Sequence, residues 1–434
     1  MITIEHALRT VLSTVSPLKT HRLALSQARG CYLAEDIRAD RDLPPTDRSA
    51  MDGYVVRAKD IAQSPSGLSL AGEIPAGSAA RTRVQPGKCV RIFTGSAIPP
   101  GGDTVVMVEE TTERDGVVTF RTSVKTGANI RRKGEEVAKG QVVLPKGSPL
   151  HAAQIALAAS VGKAALRVHK RPSIAILCTG RELKAPGAKV APYQLRDSNG
   201  PALLAALSEA GFDDITHRIV PDDFGILTDH LAKAIAAADV VILTGGVSVG
   251  QYDYVPQAVQ QIGAKVHFHG VAMKPGKPQL YATRRANRPI FGLPGNPLSV
   301  LTGFYELVLP AIRRMSGCDA GTCHQTMTLP LARSIRGKGK RANFFLAALS
   351  RSSRGLTVQT VKSCGSADLA AGAKADGMIL MPRNVHELGA GGVRIGEDKM
   401  AEVSRLIEYG RERILAEIDK CVVLCLNCHR KEHR

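Results

Sequence analysis

Three short apolar runs, each stopped by a Gly- or Pro-rich loop, limit what this chain can fold into. Ser173-Ile174-Ala175-Ile176-Leu177-Cys178-Thr179-Gly180 is apolar up to its Thr-Gly stop. About 65 residues later Asp239-Val240-Val241-Ile242-Leu243-Thr244-Gly245-Gly246 repeats the pattern. Pro289-Ile290-Phe291-Gly292-Leu293 is the third run and enters Pro294-Gly295-Asn296-Pro297, after which a helix is expected as far as Arg314. Between the first two lie a helical stretch (200–210), a more polar strand candidate ending at Ile219-Val220-Pro221-Asp222-Asp223, and a second helix (224–237). Buried strands alternating with helices predict a parallel sheet covered on both faces. Ligands of such sheets sit in the crevice beyond the strand C-termini.

The flanks read differently. Residues 1–40 open with helical periodicity (Ile4, Leu8, Val11, Leu12). Short β-type runs at 90–93, 104–108 and 117–121 alternate with Gly/Pro turns, which predicts a small β-rich unit over 41–136. A mixed segment from 137 ends in a helix over 151–160, and 326–396 returns to short β-type runs. At 434 residues the chain is too long for one core. No apolar stretch reaches the ~18 residues of a membrane span, and the N-terminus lacks the pattern of a signal peptide. A soluble, cytoplasmic protein is expected. Six of the nine cysteines (Cys31, Cys89, Cys178, Cys318, Cys323, Cys364) are scattered and read as buried, unreactive thiols rather than a disulfide framework.

A formal charge of +19 favours anionic partners. The basic residues are spread along the chain without the regular aromatic interleaving of a nucleic-acid platform, so nucleic acid is not the expected partner. The cluster Arg131-Arg132-Lys133 reads first as a solvated turn. Thr244-Gly245-Gly246-Val247-Ser248-Val249-Gly250 is a loop whose glycines let backbone N–H groups approach an anion. Asp253 follows it, and the other strand ends supply Glu182, Asp222 and Asp223. Carboxylates at strand ends suit Mg²⁺, which keeps water and grips phosphate oxygens. The competing reading is helix capping, open above all to Asp222 and Asp223. Lys274-Pro275-Gly276-Lys277-Pro278 sets two cations three residues apart on a stiffened backbone, which favours a polyanion.

Together with Ser49-Ala50-Met51-Asp52-Gly53-Tyr54, Arg91-Ile92-Phe93-Thr94-Gly95 and Asn129-Ile130-Arg131-Arg132-Lys133-Gly134-Glu135, these loops resemble the MoeA-type molybdopterin molybdenumtransferases, relatives of the gephyrin E domain, over roughly residues 1–396. The order and spacing of the segments carry the resemblance. It implies an α/β multidomain fold. The parts are a parallel-sheet molybdopterin-binding domain (172–325), two smaller β-rich domains (41–136 and 326–396) and an elongated linking domain (1–40 with 137–171). It implies a homodimer that takes adenylylated molybdopterin, releases AMP and inserts molybdate. Catalytic weight would fall on Asp52, Thr94, Glu182, Asp222, Asp253 and Lys274, with Asp52 and Thr94 reaching the partner subunit's site. Glu182, Asp222 and Asp253 would hold Mg²⁺. Gly245, Gly246, Ser248, Lys277, Pro294, Asn296 and Pro297 would contact substrate. Two positions depart from the family: Glu136, often Asp, and Gly270, lysine in some relatives, which leaves the oxyanion site one cation fewer.

Residues 397–434 are outside this resemblance. Their end, from Glu417 to His433, resembles the closing segment of HNH-type nucleases, without the earlier Cys-x-x-Cys or the upstream catalytic histidine region. Cys425, Cys428, His429 and His433 are possible zinc ligands. Four ligands within nine residues are cramped, since finger spacing separates two pairs by about twelve or more. A plain extension is the favoured reading. Three alternatives to the transferase remain: a gephyrin-like scaffold without catalysis, a molybdopterin adenylyltransferase with only the α/β domain, and nucleic-acid binding through the basic charge and tail.

Overall fold

The computed structural model describes residues 1–388 except 63–64, 80, 249, 251–252, 286, 338 and 353–354. The chain divides into two units. One comprises Met1–His21, Gly30–Tyr32 and Val168–Arg434, and the other Arg22–Arg29 and Leu33–Arg167.

The three apolar runs become neighbouring strands of the first unit. Its strands are β1 (Ile174–Thr179), β2 (Ile215–Val220), β3 (Val240–Thr244), β4 (Lys265–His269), β5 (Leu280–Thr283) and β6 (Pro289–Leu293). Its helices are α1 (Ile4–Thr14), α2 (Asn199–Glu209), α3 (Phe224–Ala237), α4 (Val255–Gln261), α5 (Pro297–Gly303) and α6 (Leu309–Met315). The strands pair in the order β2-β1-β3-β6-β5-β4.

Along β1, Ile174, Ile176 and Cys178 face one core and Ala175 and Leu177 the other; β3 splits in the same way. The first core is closed by Ala7 and Val11 of α1, Leu203 and Leu207 of α2, and Ile312 and Met315 of α6. The second is closed by Leu227 and Leu231 of α3 and Val255 and Val259 of α4. Each such aliphatic side chain contributes roughly 1.5–3 kcal/mol by leaving water, and strands buried on both faces explain why the runs carry no polar alternation.

The sheet is not wholly parallel, as the sequence suggested. β2, β1, β3 and β6 run parallel, whereas β5 is antiparallel to both β6 and β4. The reason is a tight hairpin between β5 and β6, where Arg285 and Asn287 take positive φ and Arg284 N–H donates to the Arg288 carbonyl at 3.0 Å. No room is left there for a crossover helix. The helix expected from Pro297 to Arg314 is also interrupted, by a π-turn over Phe304–Val308. Pro310, at the start of α6, has no N–H to give, and a widened turn accommodates that loss.

In the same unit Ala342–Ser352 pairs antiparallel with Gly355–Thr360 and with Gly377–Met381, and Met273–Lys274 adds in parallel at Ala342 and Asn343. Among the described residues no helix is long and apolar enough to cross a membrane. Five of the scattered cysteines are buried, as expected, but Cys364 is exposed. Burial pushes the Cys89 thiol up to about 12. Within the Cys318–Cys323 pair, contact with Cys323 pulls the Cys318 thiol below its usual range, although Cys318 is buried.

The second unit is built on a six-stranded sheet ordered Thr104–Met107, Gly53–Val56, Lys88–Ile92, Ser66–Ile74, Val117–Phe120 and Thr111–Arg114. Gly53 lies opposite Met107, and a Cβ there would stand 1.9 Å from the Val106 carbonyl oxygen. Glycine is required by that close approach. Gly53→Ala is expected to destabilise this unit by about 1–3 kcal/mol, read as a lowered urea midpoint for its unfolding.

Candidate active site

A cavity of about 310 Å³ opens at the C-terminal ends of β1 and β3. Its floor is the loop after β3. Gly245 and Gly246 both take positive φ. A Cβ on Gly245 would meet the Thr179 carbonyl oxygen at 2.5 Å, and one on Gly246 the Thr179 Oγ1 at 3.0 Å. Only glycine permits this approach. Gly245 N–H donates to the Leu293 carbonyl and Val255 N–H to the Gly246 carbonyl, each at 3.1 Å, so the loop is tied to β6 and to α4.

Three carboxylates from three loops line the same cavity: Glu182, Asp222 and Asp253. The structure separates the two adjacent aspartates by role. Asp223 caps α3, accepting from Ile226 N–H at 2.9 Å, while Asp222 turns to the cavity and accepts from Arg181 N–H at 3.3 Å. Asp253 accepts from Gly250 N–H at 2.7 Å, which fixes it against the glycine loop.

Five wall residues were not singled out from the sequence: Thr179, Leu183, Asn199, Thr244 and Gly295. Thr179 Oγ1 and Asn199 Oδ1 are shielded from solvent with no hydrogen-bond partner. A buried polar atom left in this state costs about 1–3 kcal/mol. Asn199 is oriented by donating Nδ2–H to the Gly295 carbonyl at 2.8 Å. The available sequence signal was its position, opening a helix directly after Asp197-Ser198.

Other expected substrate contacts lie off this wall. Ser248, Lys274, Lys277, Pro294, Asn296 and Pro297 are not among its residues, and both lysines are exposed. Asn296 and Pro297 begin α5, and Asn296 Nδ2 donates to Ser366 Oγ at 3.0 Å. Gly270 has φ +101°, a conformation that a lysine side chain would strain.

In the second unit Asp52 and Thr94 come together. Thr94 N–H and Oγ1–H donate to Asp52 Oδ1 at 2.7 and 2.8 Å, and these bonds, the backbone one first, hold the Asp52 carboxyl below its ordinary value. The basic cluster nearby is internally neutralised, in keeping with its reading as a turn. Arg132 pairs with Asp47 at 2.7 Å, Lys133 with Asp42 at 3.4 Å, and Arg131 with both Glu135 and Glu136. The departure at Glu136 is therefore a partner for Arg131. Cys425, Cys428, His429 and His433 lie outside the described residues.

Three family models match in succession: "MoeA N-terminal region (domain I and II)" at residues 2–162, "Probable molybdopterin binding domain" at 175–314, and "MoeA C-terminal region (domain IV)" at 328–393. The chain is 40% identical to a molybdopterin molybdenumtransferase of Nostoc over 336 residues, covering 76% of this chain and 77% of that one. The chain belongs to the MoeA family of molybdopterin molybdenumtransferases. A member from Staphylococcus epidermidis is 32% identical, with 90% of this chain and 94% of its own length covered. The solved MoeA protein of Pyrococcus horikoshii superposes with a TM-score of 0.76 at 28% identity, over 90% of this chain and 98% of that one. None of the three MoeA models extends past residue 393, so the nuclease-like reading of the tail gains no support from them.

The Asp52–Thr94 pair makes a pH-dependent tie. Because the folded carboxyl is depressed, the tie is complete above the ordinary carboxylate range and is lost as pH falls through the lowered value. Thr94→Val removes the hydroxyl donor and keeps the N–H. It is expected to move the Asp52 titration midpoint part of the way back up, as followed by carboxyl NMR.

Proposed function

We propose that the cavity receives adenylylated molybdopterin, and that the chain releases AMP from it and inserts molybdate into its dithiolene, in the cytoplasm. The observation that carries this reading is the placing of three carboxylates, from three separate strand-end loops, around a glycine floor in one cavity. Cysteines that are all free among the described residues accord with a reducing compartment.

An all-oxygen donor set fits a hard cation such as Mg²⁺. Glu182, Asp222 and Asp253 do not close into a group whose ligand atoms lie within 4.8 Å of one another. Mg²⁺ does not require such a cage, because it retains water and takes the rest of its shell from phosphate. When bound, it would neutralise the pyrophosphate oxygens and so favour cleavage of the link. The protein's own residues act by position: Gly245 and Gly246 admit the ligand close to backbone, and Thr179 and Asn199 offer unfilled acceptors. Lys274 and Lys277 are proposed to meet phosphate or molybdate, with Gly270 supplying no third cation. Hydrolysis of the link consumes one water, so that AMP leaves with one phosphate and molybdopterin keeps the other, and one oxygen of molybdate leaves as water with the two thiol protons as the dithiolene sulfurs bind molybdenum.

The order of the three matched regions supports keeping the linking, β-rich, α/β and C-terminal β divisions proposed from sequence. We further propose a homodimer in which Asp52 and Thr94 act on substrate held by a second copy.

Two measurements test these proposals. Asp253→Ala is expected to slow molybdate-dependent AMP release at least about a hundredfold, assayed on adenylylated molybdopterin. A protein that consumed ATP without freeing AMP would instead be an adenylyltransferase, and one whose variant kept all function would be a scaffold. Equal mixing of Asp52→Ala and Asp253→Ala chains should restore about a quarter of wild-type activity, since half of the dimers are then mixed and each of these holds one intact site in two. Recovery of none would remove the shared-site reading.

A further inference from the structure

A second polar cluster lies beneath the cavity wall, on the α2 side of the sheet. Cys178 is the penultimate residue of β1, His217 sits on the adjoining β2, and Asp197 lies in the turn that opens α2. The register pairs Ile176 with His217 and Cys178 with Ile219. His217 therefore shares a face with Ile176 and Cys178. Sγ, Oδ2 and Nε2 of the three residues all lie within 4.8 Å of one another, the one such group among the described residues. Cys178 is fully buried and Asp197 is 3% exposed.

The contact between Asp197 and His217 is unusual. Oδ2 and Nε2 are 2.8 Å apart, a close Asp–His pair, and neither atom has a well-aligned hydrogen-bond partner. Asp197 Oδ1, by contrast, accepts from Gly200 N–H at 3.0 Å. With Cys178 Sγ also within 4.8 Å of both, the two atoms form one side of a three-donor group that can converge on a common point. Gly200 makes the approach possible, because a Cβ there would stand 2.1 Å from Nε2 and 2.5 Å from Oδ2.

We propose that Cys178, Asp197 and His217 hold a borderline-soft divalent transition metal of the zinc class, through Sγ, Oδ2 and Nε2, with the fourth position open to water. Thiolate, carboxylate and imidazole are all zinc ligands, and bonds of about 2.0–2.3 Å give tetrahedral edges of roughly 3.3–3.6 Å. Small side-chain rotations reach that geometry from the separations observed. The charges also close: a dication with one thiolate, one carboxylate and a neutral imidazole is a neutral unit, which burial favours over an unpaired carboxylate. Burial pushes the thiol of Cys178 up to about 12, so it keeps its proton until metal displaces it to solvent. Entry is from the sheet edge, where β2 is the outermost strand and the His217 side chain is 21% exposed. A metal here joins β1, β2 and the start of α2, directly behind Thr179 and Asn199 of the cavity wall. Its role is to brace that wall.

The test uses the full chain, stripped with chelator and titrated with Co²⁺ alone. A thiolate-to-cobalt charge-transfer band with four-coordinate ligand-field absorption is expected. Cys178→Ser should abolish the charge-transfer band, and His217→Leu should weaken cobalt affinity at least tenfold while leaving the circular dichroism unchanged. The double variant Cys425→Ser/Cys428→Ser should keep the band, which separates this site from the tail cysteines. If Cys178→Ser fails to fold, the partly exposed His217→Leu decides. A band that is absent from the wild type, insensitive to His217→Leu, or lost with the tail cysteines alone overturns the proposal.

Discussion

Burial of β1, β3 and β6 on both faces is the constraint on which the rest of this molecule depends. Such strands can carry no polar side chain along most of their length. Polar chemistry is therefore displaced to the points where the strands stop. At those points β1 delivers Thr179 and Glu182, β3 delivers the glycine floor and Asp253, and the end of β2 delivers Asp222. The same interior that stabilises the sheet gathers the candidate site.

How much of this was legible in the sequence follows from the range of each interaction. The strands β1, β3 and β6 and the helices α2 and α3 announce themselves by local periodicity, because burial on a sheet or one helix face leaves a regular trace. The strands β4 and β5 do not. They form the edge of the sheet, where the direction of β5 is set by the turn at Arg285 and Asn287 that joins it to β6, and β4 pairs antiparallel beyond it; nothing in either strand alone dictates its direction. The π-turn was missed for a similar reason: Pro310 was visible, but its effect depends on the turn it interrupts.

The candidate site divides in the same way. Glu182, Asp222, Asp253 and the two glycines were readable because acidic and glycine residues at strand ends are conspicuous in a row of letters. The choice between Asp222 and Asp223 required three dimensions, since only geometry shows which carboxylate is spent on the Ile226 N–H. Thr179 and Asn199 were unreadable in a stronger sense. Their significance lies in what they lack, a hydrogen-bond partner, and no sequence records an unfilled bond. Cys178, Asp197 and His217 are spread over forty positions and meet through the pairing of β1 with β2 and the turn that opens α2. The lysine and Pro-Gly-Asn-Pro loops are conspicuous in sequence, but of their residues only Gly295 lines the cavity, while Lys274 and Lys277 are exposed.

The floor of the cavity has one more implication. A Cβ at Gly245 would collide with the Thr179 carbonyl oxygen, and one at Gly246 would press on Thr179 Oγ1 at a positive φ. Backbone rather than rotamers thus defines the bottom of the cavity. Of the wall residues, Leu183 alone is an apolar side chain without an assigned role. A change in the ligand's fit is therefore easier to introduce there than at the floor, where the backbone itself sets the shape.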